Sequence, residues 1–387
     1  MRLRQNVNGI ASVFGACCVM FGSATSCGVV PSSLAVAAEP ISIGAVLPLS
    51  GDAARWGIPP RNAAELAIDE INGAGGIDGG TLRLMAEDDR CQPAEGVAAF
   101  NKIMAAVTTP VILGAVCSSA TLAIAPLAEA SKTVLISPAS TSPKVTNAGD
   151  FVFRVISSGS LRGKVFAEYL YHERGLRRLA VLYINNEGGI GGSSSFKAQF
   201  TQLGGTIVRE EPYEQGVTDI RAQLTRIRDT NAEGVLVGSY PSDTVLALRQ
   251  ARELQLKLPL FFTTEAVQNP EVLRDAGDAA DGAVYILAAS ATGPVPDAFN
   301  RAYEAKFGHR PELFAAEGYD IVRLVGNAMA ESKDKPVTGA SIRDFLYQVR
   351  NHQGASGAIT FDEKGDVIKP YAIMTIEAGK PKTIAIK

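Results

Sequence analysis

Residues 41–91 read ISIGAVLPLSGDAARWGIPPRNAAELAIDEINGAGGIDGGTLRLMAEDDRC, and their pattern of apolar runs and glycines points to an α/β architecture. An apolar run, ISIGAVL, breaks at Pro48 into a small-residue turn, Ser50-Gly51-Asp52. A helical pattern follows. Ala63, Ala64, Leu66, Ala67, Ile68 and Ile71 form its apolar stripe, and Gly73, Gly75 and Gly76 end it. A second strand, Leu82 to Ala86, then runs into acids and Cys91. Strand, helix and strand in this order predict a βαβ unit that opens a parallel sheet. Open parallel sheets bind ligands outside the carboxyl ends of their strands, so the polar turn after the first strand is the first place to seek a site.

Outward from this unit, strand and helix patterns alternate with little interruption. Strand-like runs fall at Val111–Gly114, Val134–Ser137, Leu179–Tyr183, Gly234–Gly238, Leu260–Thr263 and Val284–Ala288. Helical patterns lie between them at Ala94–Ala106, Ala120–Ser131, Leu161–Glu173, Ser194–Leu203, Ile220–Arg228 and Ser242–Leu254. Such alternation predicts a doubly wound α/β architecture. The series occurs twice, with Asp150–Val155 crossing between the two runs. A tail adds helices at Pro296–Phe307, Leu313–Glu331 and Gly339–Val349, then a hairpin-like pair, Ala358–Phe361 and Tyr371–Ile376, around Asp362-Glu363-Lys364-Gly365. The expected organisation is an export segment over 1–38, one lobe from 39–156 plus 289–370, and a second from 157–288 plus 371–387. A chain of 387 residues is long enough for two cores.

The amino terminus reads as a secretory signal. Arg2 and Arg4 precede an apolar run from Ile10 to Phe21, and Ala35-Val36-Ala37-Ala38 follows before Glu39. The run is shorter than the roughly 20 residues a membrane span needs. Cleavage after Ala37 or Ala38 is the favoured reading. Ala24-Thr25-Ser26-Cys27 offers the alternative of a lipid anchor at Cys27, although the leucine usual three residues before such a cysteine is missing. The expected location is the periplasm. Net charge is −3, and the basic residues are scattered, which weighs against a nucleic-acid partner. Removal of the signal leaves two cysteines, Cys91 and Cys117, each just beyond a predicted strand. In an oxidising compartment they suggest one disulfide, with two free thiols or a metal pair as alternatives. The three histidines, His172, His309 and His352, stand far from them in sequence, which speaks against a metal.

Short polar segments follow the predicted strands: Ser50-Gly51-Asp52 with Trp56 nearby, Cys117-Ser118-Ser119-Ala120-Thr121, and Ser137-Pro138-Ala139-Ser140-Thr141-Ser142-Pro143. Hydroxyls and free N–H groups at a helix start suit a carboxylate. Taken singly, each Ser or Thr is better read as a cap or turn former, but three such segments in series favour a site. In the second run, Gly238-Ser239-Tyr240-Pro241 ends one strand and Thr263-Thr264-Glu265-Ala266 the next. Glu265 is either a solvated loop acid or the partner of an ammonium group across a cleft. Catalytic signatures are poor. Ser194-Ser195-Phe196-Lys197 fits S-x-x-K without its companion motifs, and Gly188-Gly189-Ile190-Gly191-Gly192 is neither a dinucleotide fingerprint nor a P-loop. That glycine run reads as the entry to a helix.

The motifs IGAVLPLSG, INGAGGI, DDRCQP, CSSAT, ISPAST, LRQARELQL and ITFDEKGD together resemble the periplasmic substrate-binding proteins of branched-chain amino acid ABC transporters, the leucine/isoleucine/valine-binding type. The likeness runs over nearly all of the chain beyond the signal. It implies a type I periplasmic binding protein fold, two doubly wound parallel-sheet lobes joined by crossing hinge strands. It implies that Ser118 and Thr141 hold a ligand carboxylate, while the Ala139 carbonyl and Glu265 receive its ammonium. Ser140 belongs to the same binding segment, and Trp56 and Tyr240 match aromatic positions lining the pocket. The family also has the disulfide that Cys91 and Cys117 would form. One departure stands out: where members show D-x-x-Y-G-x-G, this chain has Asn185-Asn186-Glu187-Gly188-Gly189-Ile190-Gly191, so Gly188 replaces a ligand-facing tyrosine. Loss of that ring is expected to enlarge the pocket or weaken closure.

The expectation is a monomeric receptor, not an enzyme, that binds an amino acid without a cofactor or metal and serves a permease and ATPase in the inner membrane. A sensor of the same fold binding a small amide or carboxylate is the alternative, and a secreted hydrolase the weaker rival.

Overall fold

The computed structural model describes residues 40–333 and 336–387. The expected export segment, with Cys27, Ala37 and Ala38, lies outside the described residues. ISIGAVL forms β1 (Ile41–Leu47), which is almost wholly buried because it is covered on both faces. It runs through α1 (Ala54–Gly73) to β2 (Leu82–Asp88), parallel to β1 with Ile41 level with Leu82. The helix starts well before its apolar stripe, so Trp56 sits in its first turn rather than in the preceding loop. Continuing with α2 (Pro93–Ala106), β3 (Val111–Gly114), α3 (Ser118–Ser131), β4 (Val134–Ser137) and β5 (Val152–Arg154), the chain completes an all-parallel sheet. Its order is β2-β1-β3-β4-β5. The segment read as a crossing, Asp150–Val155, therefore holds this sheet's last strand.

The pattern then repeats. α4 (Gly159–Glu168) continues into a π-helical turn at Tyr169–Glu173. Next come β6 (Arg178–Ile184), α5 (Glu187–Gln202), β7 (Thr206–Tyr213), α6 (Arg221–Arg228) and β8 (Val235–Gly238). α7 (Pro241–Glu253), β9 (Leu260–Phe262), α8 (Pro270–Ala276) and β10 (Val284–Ala288) finish the series. The strands order as β10-β9-β8-β6-β7, the same winding as the first sheet. Two antiparallel strands, β13 (Tyr371–Glu377) and β14 (Lys380–Ile386), extend it beyond β10. Between β10 and β13 lie α9 (Pro294–Phe307), α10 (Ala315–Glu331), α11 (Gly339–Gln348) and a small hairpin of β11 (His352–Gly354) and β12 (Gly357–Ile359). α10 packs on α1, and Ile321, Leu324, Met329, Ile342 and Leu346 join the core beneath the first sheet.

Three local readings change. β7, TIVREEPY, is an edge strand whose Arg209 and Glu210 face solvent, so no apolar run marked it. The pair expected at Ala358–Phe361 and Tyr371–Ile376 does not form a hairpin: Asp362 N donates to Asp366 O at 2.9 Å in a tight turn, and β13 pairs with β10 and β14 instead. Gly188–Gly192, read as a loop entering a helix, is the opening of α5 itself.

The chain passes between the sheets three times, and the passages lie side by side. Ser157 bridges Val367 in parallel, Lys369 N donates to Ser157 Oγ at 2.7 Å, and Ala289 N donates to Pro370 O at 2.8 Å. Arg154, fully buried at the end of β5, ion-pairs with Asp366, its Nη2 lying 2.6 Å from Oδ2. Cys91 and Cys117 are disulfide-bonded with Cα atoms 5.4 Å apart, tying the turn after β2 to the start of α3.

Candidate functional site

In each sheet the strand order reverses direction beside the first strand, between β1 and β3 and between β6 and β8. A crevice must open at the carboxyl ends there, because the flanking connections leave to opposite faces. The two crevices face one another across a cavity of about 70 Å³, which has room for roughly five waters. From the first half it is lined by Trp56, Cys117, Ser118, Ala139, Thr141 and Phe314. From the second it is lined by Arg162, Gly188, Tyr240, Thr264 and Glu265, among others. Seven of the eight residues singled out in the sequence as ligand-binding thus share one cavity.

Ser140 is the exception. Its hydroxyl lies within 3.1 Å of the carbonyls of Ala115 and Val116 and 2.7 Å from Thr121 Oγ1, and it is fully buried away from the cavity. Its part is to hold the segment in shape. Ser137 Oγ accepts from the N–H groups of Ala139 and Ser140 at 3.2 and 2.9 Å, and Arg154 Nη1 donates to the carbonyls of Ser140 and Ser142. This anchoring turns Ala139 and Thr141 to the wall. Ser118, at the first turn of α3, accepts from Ser142 N at 3.1 Å, so the two hydroxyl-bearing segments are joined to each other.

On the aromatic side, Trp56 meets Tyr240 edge-to-face with ring centroids 4.8 Å apart, and Phe314 stands 6.2 Å from the indole. This contact joins α1 of the first half to the start of α7 in the second. Burial raises the Tyr240 phenol above its usual range, so the group stays neutral and serves as a donor. Close to Tyr240, Asp243 accepts from its N–H at 3.2 Å. Burial, with the charge of Asp52 from the other half adding, raises Asp243 to about 6.

A family profile described as periplasmic binding protein matches residues 40–381. The chain belongs to the periplasmic binding protein family. The leucine-, isoleucine-, valine-, threonine- and alanine-binding protein of Pseudomonas aeruginosa is 28% identical over 340 residues, covering 87% of this chain and 89% of the relative. The Leu/Ile/Val-binding protein of Escherichia coli K12 is 27% identical over 369 residues, covering 94% and 95%. Among solved structures, the leucine-binding protein LivK of Thermotoga maritima superposes with a TM-score of 0.83 at 28% identity, covering 89% of this chain and 98% of that one. LivJ of Streptococcus pneumoniae, solved in complex with isoleucine, gives 0.81 at 28% identity, covering 90% and 99%.

Within this periplasmic binding protein, the glycine that departs from the family pattern is not simply a gap. A Cβ added at Gly188 would stand 3.2 Å from the Tyr240 hydroxyl. The Tyr240 side chain thus reaches the place where a side chain at position 188 would begin.

Sequence reading missed Arg162. It lies in the first turn of α4, 5% exposed, with Nη1 2.8 Å from Glu265 Oε2 and 2.9 Å from Thr263 O. Burial opposes its charge, but Glu265, with Tyr371 adding, outweighs that and holds the guanidinium above its usual range. Glu265 is therefore not a lone acid awaiting a cation, since it already has one. A signal for Arg162 existed: it stands at i, i+4, i+7 spacing with Phe166 and Tyr169, both buried, which places it on the inward face of the helix.

Proposed function

We propose that this chain is the receptor of an ABC importer, and that it captures an α-amino acid in the cavity between its two sheets and delivers it to a membrane permease and its ATPase. The observation that carries this reading is the division of the cavity wall. Hydroxyls and helix N–H groups for a carboxylate come from Ser118 and Thr141 on one side, while Glu265 comes from the other. A ligand touching both halves favours the closed arrangement by its preference for that arrangement, which is what drives closure. The Ala139 carbonyl and Glu265 receive the ammonium, and Trp56 and Tyr240 close the apolar wall.

The lobes in this reading are 39–156 with 289–370 and 157–288 with 371–387, and the three adjacent passages between the sheets serve as the hinge. Residues 1–38 act as an export signal removed after Ala37 or Ala38, so the receptor works in the periplasm, as a monomer. It binds and releases without chemical turnover. Calorimetry on ligand-stripped protein against the common α-amino acids tests the proposal. Saturable one-to-one binding of at least one of them, weakened in Glu265→Ala, is expected; no binding by any would overturn it.

A further inference from the structure

Arg55 stands beside Trp56 in the first turn of α1, on the first half of the molecule. Its guanidinium reaches across to α8 on the second half, with Nε 2.5 Å from Glu271 Oε2 and Nη2 3.6 Å from Asp275 Oδ2. Glu271 and Asp275 are four residues apart, so they project from one face of α8 toward the same cation. Buried Asn269 holds the start of that helix, its Oδ1 accepting from Glu271 N at 2.9 Å. Asp275 is shared with its neighbour Arg274, which leaves Glu271 as the principal partner. A second pair spans the halves, Lys144 Nζ and Glu187 Oε1 at 2.8 Å. Trp56 and Gly188 line the cavity, and each is the sequence neighbour of a bridging residue, but the bridging residues themselves stand outside the lining.

The two bridges are not equivalent. Lys144 is 67% exposed, and an ion pair of that kind contributes little, because water competes for both charges. Arg55 is 28% exposed and faces two carboxylates, so its charge is partly withdrawn from water. Opening of the cleft moves α1 away from α8, and the bridge from Arg55 has to break before a captured ligand can leave. An interaction made only in the closed form raises the closed fraction, and the apparent affinity rises with it. It does so whatever the ligand touches, and its effect falls mostly on release.

We propose that Arg55, with Glu271 and Asp275, is an electrostatic latch, a set of positioning residues outside the cavity that decides how long a captured ligand is held without touching it. The inference rests on the amino-acid receptor reading above, since a latch needs a cleft that opens and closes. Its signature is ionic. A zwitterionic amino acid has no net charge, so its own capture responds weakly to salt, whereas the latch weakens as salt screens its charges. Residues that merely stabilised the fold would lower the unfolding midpoint and leave the salt response of binding as it was.

The test is calorimetry on the full-length protein, stripped of ligand by unfolding and refolding, with the common α-amino acids. It is run in about 0.01 M and about 1 M sodium chloride, where charges are screened over roughly 30 Å and roughly 3 Å. The tightest binder is expected to lose about three- to tenfold in affinity at the higher salt, with release in stopped flow faster by a similar factor. Arg55→Met should bind about three- to tenfold more weakly than the wild type at low salt and lose most of the salt response. Adding Glu271→Gln to Arg55→Met should change nothing further. Glu271 is half-exposed, so Glu271→Gln alone gives the same reading if Arg55→Met misfolds. A wild-type affinity equal in the two salts would overturn the latch, as would a salt response that persists undiminished in a folded Arg55→Met protein. Either result leaves the amino-acid receptor standing. Binding by none of the amino acids would remove the receptor reading itself, and the latch with it.

Discussion

Replacing Asp89 by asparagine is expected to flatten the pH dependence of stability. Asp89 follows β2, is completely buried, and has one oxygen accepting from Cys91 N at 2.8 Å while the other has no partner. Burial raises its pKa from 3.8 to about 7; the Cys91 N–H opposes the rise, and the charge of Asp88 adds to it. The folded chain thus keeps this proton up to about pH 7, whereas the unfolded chain releases it near 3.8. Folding takes up a proton between those values, so stability falls as pH rises through the window, and the penalty is complete above pH 7. A shift of this size corresponds to about 4 kcal/mol in total, of which about 2 kcal/mol is lost between pH 5 and pH 7. Asparagine retains an acceptor for Cys91 N and cannot ionise. Urea unfolding of both proteins at pH 5 and pH 7 should show the variant losing about 2 kcal/mol less than the wild type over that interval. Equal losses in the two proteins would refute the assignment of a buried, protonated Asp89.

Other perturbations read different parts of the molecule. Reduction of the Cys91–Cys117 bond, whose cysteines are 26 residues apart, should cost about 3.5 kcal/mol on the chain-entropy model, seen as a lower thermal midpoint in dithiothreitol. Asp366→Ala leaves Arg154 buried and uncompensated, and a loss of about 3–5 kcal/mol in denaturant unfolding is expected. Ser118→Ala removes a hydroxyl from the cavity wall and the acceptor of the buried Ser142 N; ligand affinity by calorimetry should fall roughly tenfold, and denaturant unfolding should show a loss of about 1–3 kcal/mol.

The α/β class was legible because buried parallel strands are written as short continuous apolar runs, and ISIGAVL, VILG, VLIS and VLVG are of that kind. β7 and β14 escaped notice for the opposite reason. They lie at the borders of their sheet, where one side of the strand faces water and charges such as Arg209, Glu210, Lys380 and Lys382 are tolerated. In the site, Ser118, Thr141, Tyr240 and Glu265 were visible as polar residues just beyond predicted strand ends. Arg162 was not, since it sits within a helix and acts from the side. Ser140 shows the converse error: a hydroxyl in the right segment turned inward to support its neighbours. Asp366 belongs to the ITFDEKGD motif, yet nothing local announced a partner 212 residues away, because an ion pair between distant segments leaves no periodicity to read.

The contact between Trp56 and Tyr240 has a practical consequence. The chain contains a single tryptophan, and it stands where α1 of one half meets α7 of the other. Its emission is therefore an optical gauge of the gap between the two halves. Opening would expose the indole to water and shift its spectrum to longer wavelength, and ligand capture would reverse the shift. The protein carries its own label, and unlabelled material mixed rapidly with ligand can report the rate of closure as well as its extent.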